Sequence, residues 1–514
     1  MKSFFEWFET TKQNPEQPWL VLGKGPSFAK RDQFDLTGFQ LLSLNHAVRE
    51  QPVTVAHMID FDVVEACGES IDRNATVLVM PWFPHFKNRP GTENLESLAR
   101  RNSTLERLNT QGRLLWYNHS LAREMRGDSP VIPVRFFSSE AVLNLLAAAG
   151  VRQVRSLGID GGNNYSAQFH DLAGETLLSN QRTTFDVQFG EIAKILMNTG
   201  LDYAPLDVQS PVRVYVAATE AQMLAVRVLE YSIRKHASLT VQVSPLHLSG
   251  IEIPTPAKPE NRPRTPFSFQ RFLIPALTGY QGRAIYLDSD MQVFQDIRRL
   301  WNVSLENADL LAVQEPGSTG RRPQFSVMVL NCASLRWDIE EVVQSLNEGR
   351  LTYEQLMYDM AVASRIRASL DPAWNSLERY HPEQTSLLHY TDMNTQPWLS
   401  CNNPLGYLWM RDLFEAIDRK FLSESEIADH VQRGFVRPSL LYQVEHKIED
   451  SFVLPGKARR MDQGFVPPFS AGPLRQSSPW LRPSAFLRAA ARGYLQNSLV
   501  FRASRRVRSL FRAS

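Results

Sequence analysis

A chain of 514 residues can bury the cores of two or three domains, and its 43% hydrophobic and 21% charged residues exclude a disordered or fibrous protein. Its three cysteines, Cys67, Cys332 and Cys401, lie far apart with no CxxC spacing, which excludes a disulfide framework and a structural zinc site and suits a reducing, cytoplasmic setting. The net charge of +2 conceals a division: residues 456–514 hold 12 basic residues against the single acid Asp462, while positions 1–455 hold 44 basic and 53 acidic residues.

The N-terminal MKSFFEWFETTKQNPEQPW carries acidic residues inside its apolar run and does not read as a signal peptide. No run of about 18 apolar residues is present to cross a bilayer. Over roughly 15–205, the apolar runs WLVLG, FQLLSLN, VTVAHMID, ATVLVM and VRSLGID alternate with helical stretches such as SEAVLNLLAAAG. Strands separated by helical spacers predict a mostly parallel sheet covered by helices. Gly23 and Gly25 follow the first strand directly, where backbone can approach a phosphate, and Ser27 is placed to open a helix whose amides favour an anion. Asn45, His46, Asp160, Gly161 and Gly162 also follow strands, so these residues are expected to converge on a crevice at the carboxyl edge of the sheet. The segment reads as a nucleotide-binding layer. His57, Asp60 and Asp62 superficially resemble a metal set, but on a continuing strand His57 faces away from the two aspartates, and a polar strand end is the expectation.

After PLDVQSP a second segment, about 211–415, again alternates: strand RVYVAATE, amphipathic helix MLAVRVLEYSIRKH, strand TVQVSPL, a proline-rich loop IEIPTPAKPENRPRTPF, then FQRFLIPALTG, DLLAVQE and FSVMVLN. Within it, AIYLDSDMQVF places Asp288 and Asp290 one residue apart where an apolar strand runs out. Alternate strand residues project to one side, so both carboxylates can reach one cation. Hard oxygen ligands favour Mg²⁺ or Mn²⁺, and such ions commonly complete their shell with substrate phosphates, which points to a nucleotide diphosphate compound. Residues 416–455 are expected to form a helical extension, and prolines from about 455 to 483 a linker. The final stretch interleaves Phe486, Leu495 and Phe501 with Arg488, Arg502 and Arg508, a pattern suited to helices lying on an anionic lipid surface. A helix packed on the body is the alternative there, and nucleic acid is the least favoured partner because no recognition motif accompanies the charge.

The ordered pieces VYVAATE, FQRFLIPAL, YLDSDMQVFQDIRRLW, FSVMVLNCASLRW, YEQLM and HYTDMNTQPW make residues 211–415 resemble the family 8 glycosyltransferases. The chain is expected to be α/β, two Rossmann-like domains over 1–205 and 211–415 followed by a basic helical tail within 456–514, and the resemblance implies that the second domain is of the glycosyltransferase A type. It implies Asp288, Asp290 and His389 as ligands of Mn²⁺ (or Mg²⁺). It implies Ala217, Thr219, Arg271, Asp288, Ser289, Gln324 and Gln396 at a UDP-sugar donor. Glu354 and Gln355, with Asp359 as competitor for the acidic role, correspond to the family's residues beside the transferred sugar, and transfer is expected with retention of configuration. The sequence departs from the family at Gln324 and Ser326, where Asn and Gly are usual, and at Gln396, where a diphosphate-binding lysine is usual; Arg321 and Arg322 are candidates to replace that charge. The pieces GKGPSF, SLN and LGIDGG are more faintly similar to family 42 sialyltransferases and motility-accessory and pterin-pyrophosphokinase-like domains. Together these resemblances imply a hexosyltransferase of bacterial surface polysaccharide synthesis, acting on a glycan or lipid-linked acceptor at the inner face of the cell membrane. The alternative they leave is a weakly active or non-catalytic nucleotide- or glycan-binding scaffold, or a first segment that is itself a transferase.

Overall fold

The computed structural model describes residues 1–172, 184–314 and 325–469. Gln324, Arg321, Arg322 and the basic tail from 470 onward lie outside the described residues. The chain divides into two compact units: Met1–Ala218 with Leu229–Ser376 and His381–Leu388, and a smaller unit formed by Thr219–Val228, Leu377–Tyr380 and the chain from His389.

The first unit holds two sheets. The first contains β1 (Trp19–Leu22), β2 (Gln40–Leu44), β3 (Val53–His57), β4 (Ala75–Pro81), β5 (Leu114–His119), β6 (Val131–Ile132), β7 (Gln153–Leu157) and β8 (Asp202–Pro205), in the order β8-β7-β1-β2-β3-β4-β5-β6. Every pairing is parallel, as the alternation with helices predicts. Strands buried on both faces need continuous apolar runs, and β1 shows why. Trp19 and Val21 pack with Phe4, Trp7 and the helix Ser138–Ala148, while Leu20 and Leu22 pack on the opposite side with Val64, Cys67 and Ile71 of the helix Phe61–Asn74. The strand order reverses between β1 and β7, which opens a crevice at their carboxyl ends.

The second sheet contains β9 (Val212–Ala217), β10 (Val241–Pro245), β11 (Arg283–Asp288), β13 (Leu310–Val313), β14 (Val327–Asn331) and β15 (Ile366–Leu370); β12 (Met291–Val293) follows β11 but belongs elsewhere. Its order is β10-β9-β11-β14-β13-β15, with β14 antiparallel to both neighbours and the rest parallel. The antiparallel strand is not visible in the alternation of helices and strands that identifies this segment as α/β. Here the order reverses between β9 and β11, and Ala217 stands in register with Asp288. A third, three-stranded sheet joins β12, β17 (Leu387–His389) and β16 (Ser376–Leu377), in the order β12-β17-β16.

The smaller unit is largely helical, with helices Gly406–Asp418, Glu424–Gln432, Ser439–Glu445 and Gly456–Met461. The last helix occupies residues expected to begin the linker, and its Ala458 is buried with Cys401 and Leu454. Arg437, 1% exposed, donates from Nε to the Pro397 carbonyl at 3.0 Å and from its amide to the Trp398 carbonyl at 2.9 Å, holding the segment that follows Gln396. Among the described residues no helix is long and apolar enough to cross a membrane.

Candidate metal and donor site

Asp288 ends β11 and Asp290 stands immediately before β12. The sheet order places β17 beside β12, and His389 is the last residue of β17. Asp288, Asp290 and His389 each offer one ligand atom, and those atoms lie within 4.8 Å of one another. The three expected ligands are therefore brought together from positions a hundred residues apart in sequence.

The surroundings of Asp288 leave one oxygen for a ligand. The Tyr286 hydroxyl donates to Asp288 Oδ1 at 2.6 Å, and Arg271 Nη2 approaches the same atom at 3.6 Å. Arg271 is itself fixed: Nη1 donates to the Phe325 carbonyl at 2.9 Å, Nε to the Ser268 carbonyl at 3.2 Å, and the guanidinium lies 4.5 Å from the Tyr286 ring centre. Tyr286 went unnoticed in the sequence, although its position two residues before Asp288 on a strand places it on the same face. Burial pushes its phenol well above the usual range, so it remains a hydrogen-bond donor. Between the two aspartates Ser289 is buried, and its hydroxyl has no partner among the described residues.

The other expected donor residues occupy distinct settings. Ala217 is buried at the end of β9, and the next residue, Ala218, exchanges two hydrogen bonds with the Gln270 amide, at 2.9 and 2.8 Å. Thr219 forms a capping box with Gln222. Gln396 is 4% exposed, and its Nε2 donates to the Tyr390 carbonyl at 3.0 Å. Glu354 is exposed and pairs with Arg264 at 3.3 Å, and Asp359 is exposed. The Gln355 side chain accepts from the Thr352 amide at 2.9 Å, closing the capping box of the short helix Tyr353–Met357.

The crevice expected in the first sheet is present as a separate cavity of about 650 Å³, lined among others by Gly23, Gly25, Asn45, His46, Asp160 and Gly161. The glycines serve packing: a Cβ on Gly23 would overlap the Gly158 carbonyl, and one on Gly25 would meet the Asp160 carboxylate. The anion expected at Ser27 is internal. Asp160 accepts from the Ser27 amide at 2.7 Å and from its hydroxyl at 2.5 Å. His57 faces away from the aspartates, 3.0 Å from the Tyr117 hydroxyl, while Asp60 and Asp62 accept from the Asn88 and Lys87 amides at 2.7 and 2.6 Å. The strand stops at His57, Asp60 stands at the N-cap of the helix Phe61–Asn74 and Asp62 lies in its first turn, so the three form a polar strand end although the strand alternation does not extend to the aspartates.

An α/β sheet whose switch point ends in paired aspartates, joined there by a histidine from the three-stranded sheet, has the layout of a nucleotide-sugar transferase domain. Residues 229–338 match the model of glycosyl transferase family 8, so the chain carries a glycosyltransferase domain. It is 27% identical over 237 residues to "Protein CDI" of Arabidopsis thaliana, a match covering 40% of this chain and 88% of the relative. Among solved structures it is similar to the apo-form glycosyltransferase GlyE of Streptococcus pneumoniae TIGR4, with 18% identity and a TM-score of 0.30, covering 40% of this chain and 60% of that one. It is also similar to the galactosyltransferase LgtC bound to donor and acceptor sugar analogues (12% identity, TM-score 0.27, 39% of this chain and 95% of that one). A bifunctional glycosyltransferase, WbbM, shows 11% identity and a TM-score of 0.28 over 78% of this chain and 97% of that one.

Proposed function

We propose that this protein is a metal-dependent, retaining glycosyltransferase that transfers a hexose from a UDP-sugar to a glycan or lipid-linked acceptor. The observation that carries the reading is the convergence of Asp288, Asp290 and His389 within 4.8 Å. Two carboxylates and one imidazole suit Mn²⁺, with Mg²⁺ as the harder alternative. A divalent cation held there supplies Lewis-acid stabilisation to the negative charge that develops on a departing diphosphate. The chain's own residues prepare that site. Tyr286 and Arg271 hold Asp288 in one orientation, and Arg271 offsets part of the charge of the paired carboxylates. The buried Ser289 hydroxyl, which has no partner among the described residues, is assigned to a donor oxygen in this reading. Ala217, Thr219, Gln324 and Gln396 complete the donor contacts in this reading, and Glu354, Gln355 and Asp359 are assigned to the sugar. A role for Gln355 there requires its cap on Thr352 to open.

The test is UDP release from a panel of UDP-sugars with Mn²⁺, compared between the wild-type chain and Asp290→Ala. Hydrolysis unchanged by the substitution would overturn the assignment. The buried amide of Gln396, where the family resemblance expects a lysine, favours a second reading as a nucleotide- or glycan-binding scaffold. Calorimetry separates the two, because the enzyme binds UDP only with divalent metal, whereas the scaffold binds glycan without metal and without turnover. We further propose that the basic tail docks the protein on the inner face of the cell membrane, in surface polysaccharide assembly. Equal binding to anionic vesicles at low salt by a chain lacking residues 480–514 would refute the docking role.

A further inference from the structure

The two oxygens of Asp288 are not equivalent. Residues two apart on a strand project to the same side, so Tyr286 stands on the Asp288 face of β11. Its hydroxyl donates to Oδ1 at 2.6 Å, in the short range of a bond to a charged oxygen. Arg271 Nη2 stands 3.6 Å from that same atom. Oδ2 accepts no hydrogen bond among the described residues, and the side chain is 14% exposed.

Neither neighbour of Oδ1 is placed to move aside. Tyr286 is 0% exposed on a strand paired along both edges, in register with Tyr215 of β9 and Met328 of β14. Turning the carboxylate away would leave a buried phenol without its acceptor. Arg271 is pinned by the Phe325 and Ser268 carbonyls and by the Tyr286 ring. A dication bonded to Oδ1 would have to break the phenol bond and would sit beside a fixed guanidinium, so like charges would oppose it.

Divalent ions differ in what they ask of a carboxylate. Ca²⁺ takes roughly six to eight oxygens and commonly grips a carboxylate by both of its own, whereas the smaller Mg²⁺ demands an octahedral shell in which one oxygen per carboxylate suffices. Mn²⁺ also accepts octahedral coordination and, unlike the harder ions, suits an imidazole. We propose that the Tyr286 phenol, by occupying Oδ1, confines Asp288 to ligation through one oxygen and so sets the site against Ca²⁺ and in favour of Mn²⁺ and Mg²⁺. Tyr286 is a positioning residue in this scheme, acting through Asp288 without touching the ion. The inference rests on the metal assignment made above.

The experiment is calorimetric titration of the metal-free full chain with Mn²⁺ alone and with Ca²⁺ alone, for the wild type, Tyr286→Phe and Asp290→Ala. The wild type is expected to bind Mn²⁺ about tenfold or more tightly than Ca²⁺, and Tyr286→Phe, which keeps the ring against Arg271, to narrow that ratio about tenfold. His389 is present in both chains, so its own preference for Mn²⁺ cancels from the comparison. A phenol that served packing alone would change the affinity for both ions equally; an unchanged ratio overturns the inference and leaves the metal site standing. Equal affinity for the two ions in the wild type overturns it as well. Mn²⁺ binding that is absent, or that survives Asp290→Ala unchanged, overturns the metal assignment and this inference with it. A crystal structure of the wild-type chain with Mn²⁺ needs no substitution: the ion is expected on one oxygen of Asp288 with Tyr286 still bonded to the other, and an ion held by both oxygens overturns the proposal.

Discussion

Acidification from pH 7 to pH 5 is expected to remove on the order of 4 kcal/mol of stability through two histidines alone. His57 and His119 are 0% and 1% exposed. His119 Nδ1 accepts a hydrogen bond from the Leu121 amide at 3.1 Å, a bond that protonation of that nitrogen would destroy. Burial holds both imidazoles neutral down to about 3, with His57 and His119 repelling each other's charge in the case of His57 and His85 repelling in the case of His119. The unfolded chain binds these protons below its ordinary value of about 6.5, whereas the folded chain does not until about 3, so stability is lost as pH falls through 6.5. At pH 5 each histidine costs roughly 2 kcal/mol, because the unfolded state gains a factor of about 30 per site. His46 and His85, held neutral to about 4, add a smaller amount because both line the cavity, where water screens them. Against a typical stability of roughly 5–15 kcal/mol this loss is large. Carboxylates of the unfolded chain remain mostly ionised at pH 5, so its histidines take up most of the protons over this range. Urea titrations followed by tryptophan fluorescence at pH 7, 6 and 5 measure the effect. His57→Phe should flatten the dependence by roughly 2 kcal/mol over that range. Equal unfolding free energies at pH 7 and 5 in the wild-type chain would refute the reasoning.

Three further outcomes follow from local geometry. Arg271→Met leaves Asp288 without its cation in a buried setting and is expected to cost about 3 kcal/mol, read from the urea midpoint in EDTA, with Mn²⁺ restoring more stability to the variant than to the wild type. Gly23→Ala drives a Cβ into the Gly158 carbonyl and should cost about 3 kcal/mol or more, whereas Gly38→Ala, which meets open space, should leave the midpoint within about 0.5 kcal/mol. Gln396→Lys removes the bond to the Tyr390 carbonyl and buries an ammonium, so the free protein should lose about 2 kcal/mol while UDP with Mn²⁺ raises its melting temperature more than that of the wild type; an identical UDP-induced shift would show that position 396 does not face the diphosphate.

The parallel sheet was legible because its strands are buried on both faces and read as unbroken apolar runs, and the crevice because Asn45, His46 and Asp160 follow those runs directly. What each polar residue does there was not legible. Asp160 and Ser27 meet across 133 positions, and only the β1–β7 pairing reveals that this carboxylate caps the chain rather than facing a ligand. The close approach of Gly23 and Gly25 to Gly158 and Asp160 proves to be a packing requirement. In the second sheet the aspartate pair carried its own signal, but His389 had none outside the family resemblance. Its partner strand β12 is three residues long, too short for any periodicity to register. Gln355 shows the reverse case. Thr352–Tyr353–Glu354–Gln355 is a capping-box pattern readable from sequence, and the structure uses it as one.

The two switch points differ in their chemistry. At the end of β11 two carboxylates and an imidazole converge, a set that repels a diphosphate unless a cation intervenes. At the end of β1 the carboxylates are consumed by backbone amides and the Ser27 hydroxyl. Chelation of divalent metal should therefore abolish UDP-sugar turnover at the first site, and turnover that persists in EDTA would refute the metal's role there.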